Sequence, residues 1–406
     1  MKNKQPIFII GMILLLIATT ALSYGYFEMA VGGNSNANDM VVEAGTLKLI
    51  YTDGPAINTQ NIKPGWSTTK TVLVKNNGTL DTNYNIIWQT LTNTIINDEL
   101  VISATCQRLN ASGTVEGTCE SISQTPIGDM TIAKKINIES GTTHKYTFTI
   151  LFKETNADQN YNQGKQFNGV LGIEEYKAPD FATDSWSTII ANVKAGYGSE
   201  YAVGSTKKVD LGTTYGTHTL RIANISTPSE CSTEGFSQTA CGFVLEFADI
   251  ITTHKMNDTS TNVGGWPATK MYSYVNNNIY NALPNELRSI IIDTIVISSY
   301  GSNDTKNFTS IDKLYLLSPK EIYTDWSNTT VPTRVLDFYS NQGVTKINYS
   351  GAIKKKGNVT DWWWLRDTAT CYGDDTFFFI KDTGVFACDC TAEYDNYGVS
   401  PAFRIG

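Results

Sequence analysis

Three histidines serve a chain of 406 residues. They stand at His144, His218 and His254, each isolated, so the commonest metal ligand and acid–base group is scarce. His-Glu-x-x-His is absent, and with it the paired imidazoles and carboxylate that a zincin sets on one helix face. Gly-x-Ser-x-Gly and the Walker pattern are missing too. A cysteine nucleophile needs a base beside it, and no histidine stands near a cysteine in sequence. These gaps point away from an enzyme. Charge is sparse as well, at 17% of residues with a net charge of −8. No basic stripe exists to neutralise phosphates, which argues against a nucleic-acid partner. The one cationic run, Lys354-Lys355-Lys356, reads as a solvated loop.

Long apolar runs are missing beyond the N-terminus. There, Lys2 and Lys4 precede an apolar stretch from Ile7 to Ala18, followed by Thr19, Thr20, Ala21 and Ser23. This is the pattern of a secretory signal peptide over residues 1–23, cut after Ser23 by signal peptidase. Extended to Leu22, the same stretch reads alternatively as an uncleaved anchor. Either way the chain is expected to be secreted or held at the cell surface. The seven cysteines agree with export, because they fall as near neighbours that close short loops. The expected bonds are Cys106–Cys119, Cys231–Cys241, and Cys371 with either Cys388 or Cys390. Metal binding by these cysteines is disfavoured, since there is no C-x-x-C pair.

Abundant Asn, Thr, Ser, Gly and Tyr suit extracellular β-structure. Residues 24–176 read as all-β, with short strands between Asp53-Gly54-Pro55, Lys63-Pro64-Gly65 and Asn76-Asn77-Gly78 turns. In His144 to Phe152, Tyr146, Phe148, Ile150 and Phe152 share one face. A sandwich or jelly roll follows. Lys177-Ala178-Pro179-Asp180 breaks the pattern, and 177–185 reads as a linker. Ser185 then caps a helix from Trp186 to Lys194, stopped at Gly196 and Gly198. Strands are expected at Tyr201–Gly204, Thr217–Ile225, Phe243–Phe247 and Lys313–Ser318, with a helix over Thr269–Asn281. Ile290–Ser298 reads as a strand buried on both faces.

Two resemblances sharpen this. The N-terminal signal region, NDMVVEAGTLKL (Asn38 to Leu49), the Lys63-Pro64-Gly65 turn and Val74 to Thr79 resemble the TasA/camelysin group. Those are exported bacterial proteins with a jelly-roll sandwich; some build matrix fibres, and camelysin is described as a metalloprotease. Residues 186–406 resemble a bacterial family of unknown function, through Trp186, Gly264-Gly265-Trp266, Tyr280 to Pro284, Lys313 to Ser318, Trp363-Trp364-Leu365-Arg366 and Gly398 to Ile405. That resemblance implies a C-type-lectin-like fold. Ser400 and Tyr272 stand where the family carries Arg, so ligand contacts made by those arginines do not transfer. The expected class is therefore mainly β with some α: a jelly-roll sandwich, then an α+β C-type-lectin-like domain.

Candidate ligand contacts gather near the C-terminus. Trp362, Trp363, Trp364 and Phe377 to Phe379 offer faces for a sugar, although alternate members of a strand turn inward. Trp363, Trp364, Arg366 and Arg404 are the candidate binding residues. The two arginines read first as holders of buried carboxylates or carbonyls, with ligand contact as the alternative. Asp374, Asp375, Asp389, Glu393 and Asp395 read as solvated turn carboxylates, with a calcium ion as the alternative. The expected role is binding or adhesion to a glycan or cell-envelope ligand. The alternatives are a self-assembling fibre subunit, built by strand addition from Tyr24 to Asn38, and a hydrolase.

Overall fold

The computed structural model describes residues 28–32, 40–44, 47–301, 304–327, 331–369 and 375–406. The signal segment, Cys371 and Asp374 lie outside them. The chain forms two compact units, Met1–Lys177 and Ala178–Gly406. Both are rich in antiparallel strands, and helices are few and short. Among the described residues no helix is long and apolar enough to cross a membrane.

The first unit is two sheets over one core. One sheet runs in the order Thr131–Ile138, Thr82–Asn93, Gln166–Glu175, Glu28–Gly32, Ile57–Gln60. The other runs Met40–Ala44, Leu47–Thr52, Ser67–Asn76, Thr143–Phe152, Leu100–Leu109, Val115–Thr118, with Ile122–Pro126 also on Leu100–Leu109. Strand alternation dictates what is inside. Tyr146, Phe148, Ile150 and Phe152 all turn inward, as their spacing requires, and join Tyr84, Ile86, Trp88 and Leu171 in the core. Trp88 meets Phe167 edge-on, with ring centres 5.4 Å apart. Glu28–Gly32 is parallel to Gln166–Glu175 and antiparallel to Ile57–Gln60. It thus occupies a place inside its own sheet.

In the second unit, Ser185 caps the helix Trp186–Lys194 by accepting from the Thr188 N–H at 3.1 Å. Gly196, at φ 82°, ends it. One sheet runs Thr206–Asp210, Thr217–Asn224, Val244–Phe247, Ala402–Arg404; another runs Thr252–Thr253, Gly398–Val399, Trp363–Ala369, Thr376–Ile380, Phe386–Ala387. Two hairpins, Thr294–Ser298 with Phe308–Asp312 and Lys354–Lys356 with Val359–Asp361, complete it.

Several expectations are corrected. Tyr201–Gly204 is a turn, and Lys313–Ser318 is a buried extended segment with a single bridge, Tyr315 to Ala402. The run from Ile290 yields a strand only over Thr294–Ser298, where Ile295 is exposed. The helix near Thr269–Asn281 exists but is interrupted by a π-helical turn, Val275–Ile279. The expected linker supplies Phe181 to the core, edge-on to Trp186 and Tyr201. Phe181→Ala should therefore lower the stability of this unit by about 3 kcal/mol, read as a shifted urea midpoint. An unmoved midpoint would return Phe181 to a linker role.

Candidate functional site

The motif expected to read a ligand is core instead. Trp363, Trp364 and Arg366 are each 0% exposed. Trp363–Ala369 is buried along its whole length, on both faces, so the alternation that should bring out half the aromatic residues does not apply. Phe377 to Phe379 are buried too. Trp362 is half-buried, stacked on Phe379 at 5.4 Å with the Lys381 ammonium 5.1 Å from its ring centre.

Arg366 holds a carboxylate, as its planar fork is suited to do. Nη1 and Nη2 each donate to Glu321 at 2.6 Å. Nε donates to the Ile297 carbonyl and Nη1 also to that of Leu316. Glu321 accepts further from Thr239, from Thr333 and from the Ser318 N–H, which closes a capping box. Burial alone would draw the guanidinium down, but Glu321 more than offsets it and holds it protonated. Arg404 is half-buried and donates to the Cys241 carbonyl (2.7 Å) and Gln238 Oε1 (3.1 Å).

The lysine run is corrected as well. Lys354 is 1% exposed. Its ammonium donates to Glu246, the Phe247 carbonyl and Ser400 Oγ, and lies 4.4 Å from the Trp363 ring centre. Ser400 is thus met by a cation arriving from a separate hairpin. Arg221 and the Tyr339 hydroxyl complete the shell of Glu246. Burial would raise that carboxyl; Arg221 and Lys354 reverse the effect and keep it at about 2. Lys355 and Lys356 are exposed. Of the C-terminal acids, Asp375 accepts from Ser260 Oγ at 2.6 Å and Asp389 lies 3.4 Å from the Lys381 ammonium.

Cys106–Cys119 and Cys231–Cys241 are bonded as expected. Cys388 is disulfide-bonded too, and Cys390 is a free thiol 2.6 Å from Tyr397 Oη. Spacing in sequence concealed one neighbour: His144, within the strand Thr143–Phe152, lies beside Cys106 and Cys119.

An open groove of about 420 Å³ lies in the second unit, lined by Thr214, Tyr215, Asn277, Asn278, Asn281 and Ala282. Among the described residues no carboxylate, thiol or imidazole lines it. The π-turn presents Asn277 and Asn278, and the helical turn after it presents Asn281; π-turns often mark functional positions. Asn276 anchors that turn: its amide donates to the Tyr272 and Leu314 carbonyls and its oxygen accepts from the Lys313 and Leu314 N–H groups. The opposite wall is fixed by Tyr215, whose hydroxyl meets that of Tyr274 at 3.0 Å. His218 secures the Tyr215 carbonyl through Nε2 (2.9 Å) while Nδ1 lies 2.9 Å from Asp249. Both acceptors demand a ring proton, so His218 is held as an imidazolium, and the Asp249 hydrogen bond raises its pKa.

Residues 243–406 match the family described as "Domain of unknown function (DUF6273)". A DUF6273 domain therefore spans the Val244–Phe247 strand through the terminal Phe403-Arg404-Ile405. The match touches nothing before residue 243, so the TasA/camelysin resemblance gains no support from it. No curated protein matches the chain. Among solved structures, a family 123 glycoside hydrolase from Clostridium perfringens, studied for glycolipid glycan hydrolysis, is similar at 15% identity, over 32% of this chain and 26% of that one, with a TM-score of 0.14. At that TM-score the likeness carries no argument about fold or activity.

Two outcomes follow from this geometry. Arg366→Met strands Glu321 in the interior and should cost the second unit about 3–5 kcal/mol in urea unfolding. Adding Glu321→Leu should recover a large part of that loss, and failure to recover would assign the loss to packing. His218, with its pKa raised on folding, contributes stability that is fully present below the ordinary histidine value of about 6.5 and is lost as pH rises through the folded value. Melting temperature should fall across that window in the wild type, and the step should vanish in His218→Gln.

Proposed function

We propose that the protein is an exported bacterial surface or matrix protein whose second unit binds a glycan or other uncharged polyhydroxylated envelope ligand without transforming it. The observation that carries this reading is the lining of the groove. Amides and hydroxyls offer paired donors and acceptors, Tyr215 offers an aromatic surface, and among the described residues no carboxylate or imidazole lines the groove to activate a hydroxyl. Loop-closing disulfides and the signal-like N-terminus support export. In this reading the first unit is a TasA/camelysin-like jelly-roll stalk and the second is a C-type-lectin-like module. The test is a glycan array with the full chain. Asn278→Ala and Tyr215→Ala should each weaken any hit by about tenfold, since each removes a ligand contact of roughly 1.5 kcal/mol. Trp363→Ala should act through folding alone. Binding unchanged by the groove substitutions would remove this reading.

A second reading, a fibre subunit, rests on the strand Glu28–Gly32. It sits between Gln166–Glu175, to which it is parallel, and Ile57–Gln60, to which it is antiparallel, a place that the same strand of a neighbouring copy could fill. Filaments in negative-stain microscopy that disappear on deleting residues 24–38 would support it. A monomer at every concentration would end it.

A further inference from the structure

Cys106, Cys119 and His144 each bring one potential ligand atom within 4.8 Å of the other two. Two strands, and the residue just after a third, place them there. Cys106 faces Tyr146 across the pair Leu100–Leu109 and Thr143–Phe152, and His144 stands two residues before Tyr146 on the same inward face. Cys119 returns over Cys106, its N–H 3.3 Å from the Cys106 carbonyl. His144 is oriented by Tyr84, whose hydroxyl lies 2.9 Å from Nδ1. Burial, with Arg108 nearby, lowers its pKa to about 4. The imidazole is therefore neutral, the form that ligates metals.

With the disulfide closed, neither sulfur is a ligand. Reduction leaves two thiols beside a fixed imidazole, a set that soft closed-shell cations prefer. Ligand atoms at about 2.0–2.3 Å from a tetrahedral cation stand within roughly 4 Å of one another, so the two sulfurs must part from their bonded distance on reduction, while the imidazole already lies within 4.8 Å of both. We propose that Cys106, Cys119 and His144 form a latent site for a thiophilic d¹⁰ cation, Zn²⁺ or Cu⁺, filled while the cysteine pair is reduced and emptied when the disulfide closes. Closure balances with a disulfide oxidant. One cysteine thiolate attacks the oxidant and expels its first thiolate. The second cysteine thiolate then attacks the mixed disulfide and expels the other. The two electrons leave with the oxidant, its two thiolates take protons from water, and the cation dissociates.

The test is titration of the full chain, reduced with a phosphine, using Co²⁺ as a spectroscopic stand-in for Zn²⁺, and separately Cu⁺ against a competing chelator. Wild type should bind one equivalent more than His144→Gln, with thiolate-to-cobalt absorption lost in the variant; the other thiols are common to both. Binding of only one of the two cations sustains the proposal and names the ion. Equal titrations would overturn it, as would unfolding of the first unit on reduction alone. A second measurement needs no variant. Closure of Cys106–Cys119 by oxidised glutathione, followed by peptide mass spectrometry, should slow by about tenfold or more in the zinc-loaded chain, the scale of a single metal-shell contact. A rate indifferent to zinc would also overturn it.

Discussion

The second unit depends on one fully buried ion pair. A charge in the interior is tolerable only when its partner and remaining hydrogen-bond needs are met on the spot. Arg366 and Glu321 meet that condition by drawing on separate parts of the chain: Thr239, Ile297, Leu316, Ser318 and Thr333 all end at the pair. Each of those segments is short or irregular and has little cohesion alone. Their common attachment replaces the long hydrogen-bond ladders that hold the first unit together. The Glu246 cluster repeats the principle nearby, joining Arg221, Tyr339 and Lys354. A domain with small sheets thus acquires a defined interior from polar, directional contacts as much as from apolar area.

The groove inherits its shape from the same economy. Its walls come from residues 214–215 and 277–282, brought together by side chains that are not themselves on its surface. Asn276 fixes one wall and the His218–Asp249 pair the other. A ligand surface made of amides needs such outside support, because amides on a free loop would satisfy themselves in water.

The legible part of the sequence was local. Period-two alternation in Thr143–Phe152 revealed its inward face, and the Ser185 cap and Gly196 stop framed a helix. Near-neighbour cysteines paired as spacing suggested. What escaped was non-local. Trp363-Trp364 read as an exposed face because alternation assumes one wet side, and this strand has none. Lys354 read as solvated because its buried acceptors, Glu246 and Ser400, lie far away in the chain. His144 stood remote from Cys106 and Cys119 until strand pairing joined them. The groove's lining had no sequence signal, since asparagine is abundant throughout. The π-turn distinguishes only Asn277 and Asn278; Asn281 follows it.

The placement of the last residues has a consequence for how the chain comes into being. Gly398–Val399 lies between two strands of one sheet, Ala402–Arg404 completes another, and Ile405 bridges Ile291. The final nine positions therefore close both sheets of the second unit. A chain made from its N-terminus can finish its first unit early, yet its second unit stays open until residues 398–405 have emerged. A chain lacking residues 398–405 would leave that core unsealed, so this segment acts as a proofreading clasp: only a product that includes it can hide the apolar interior of the second unit.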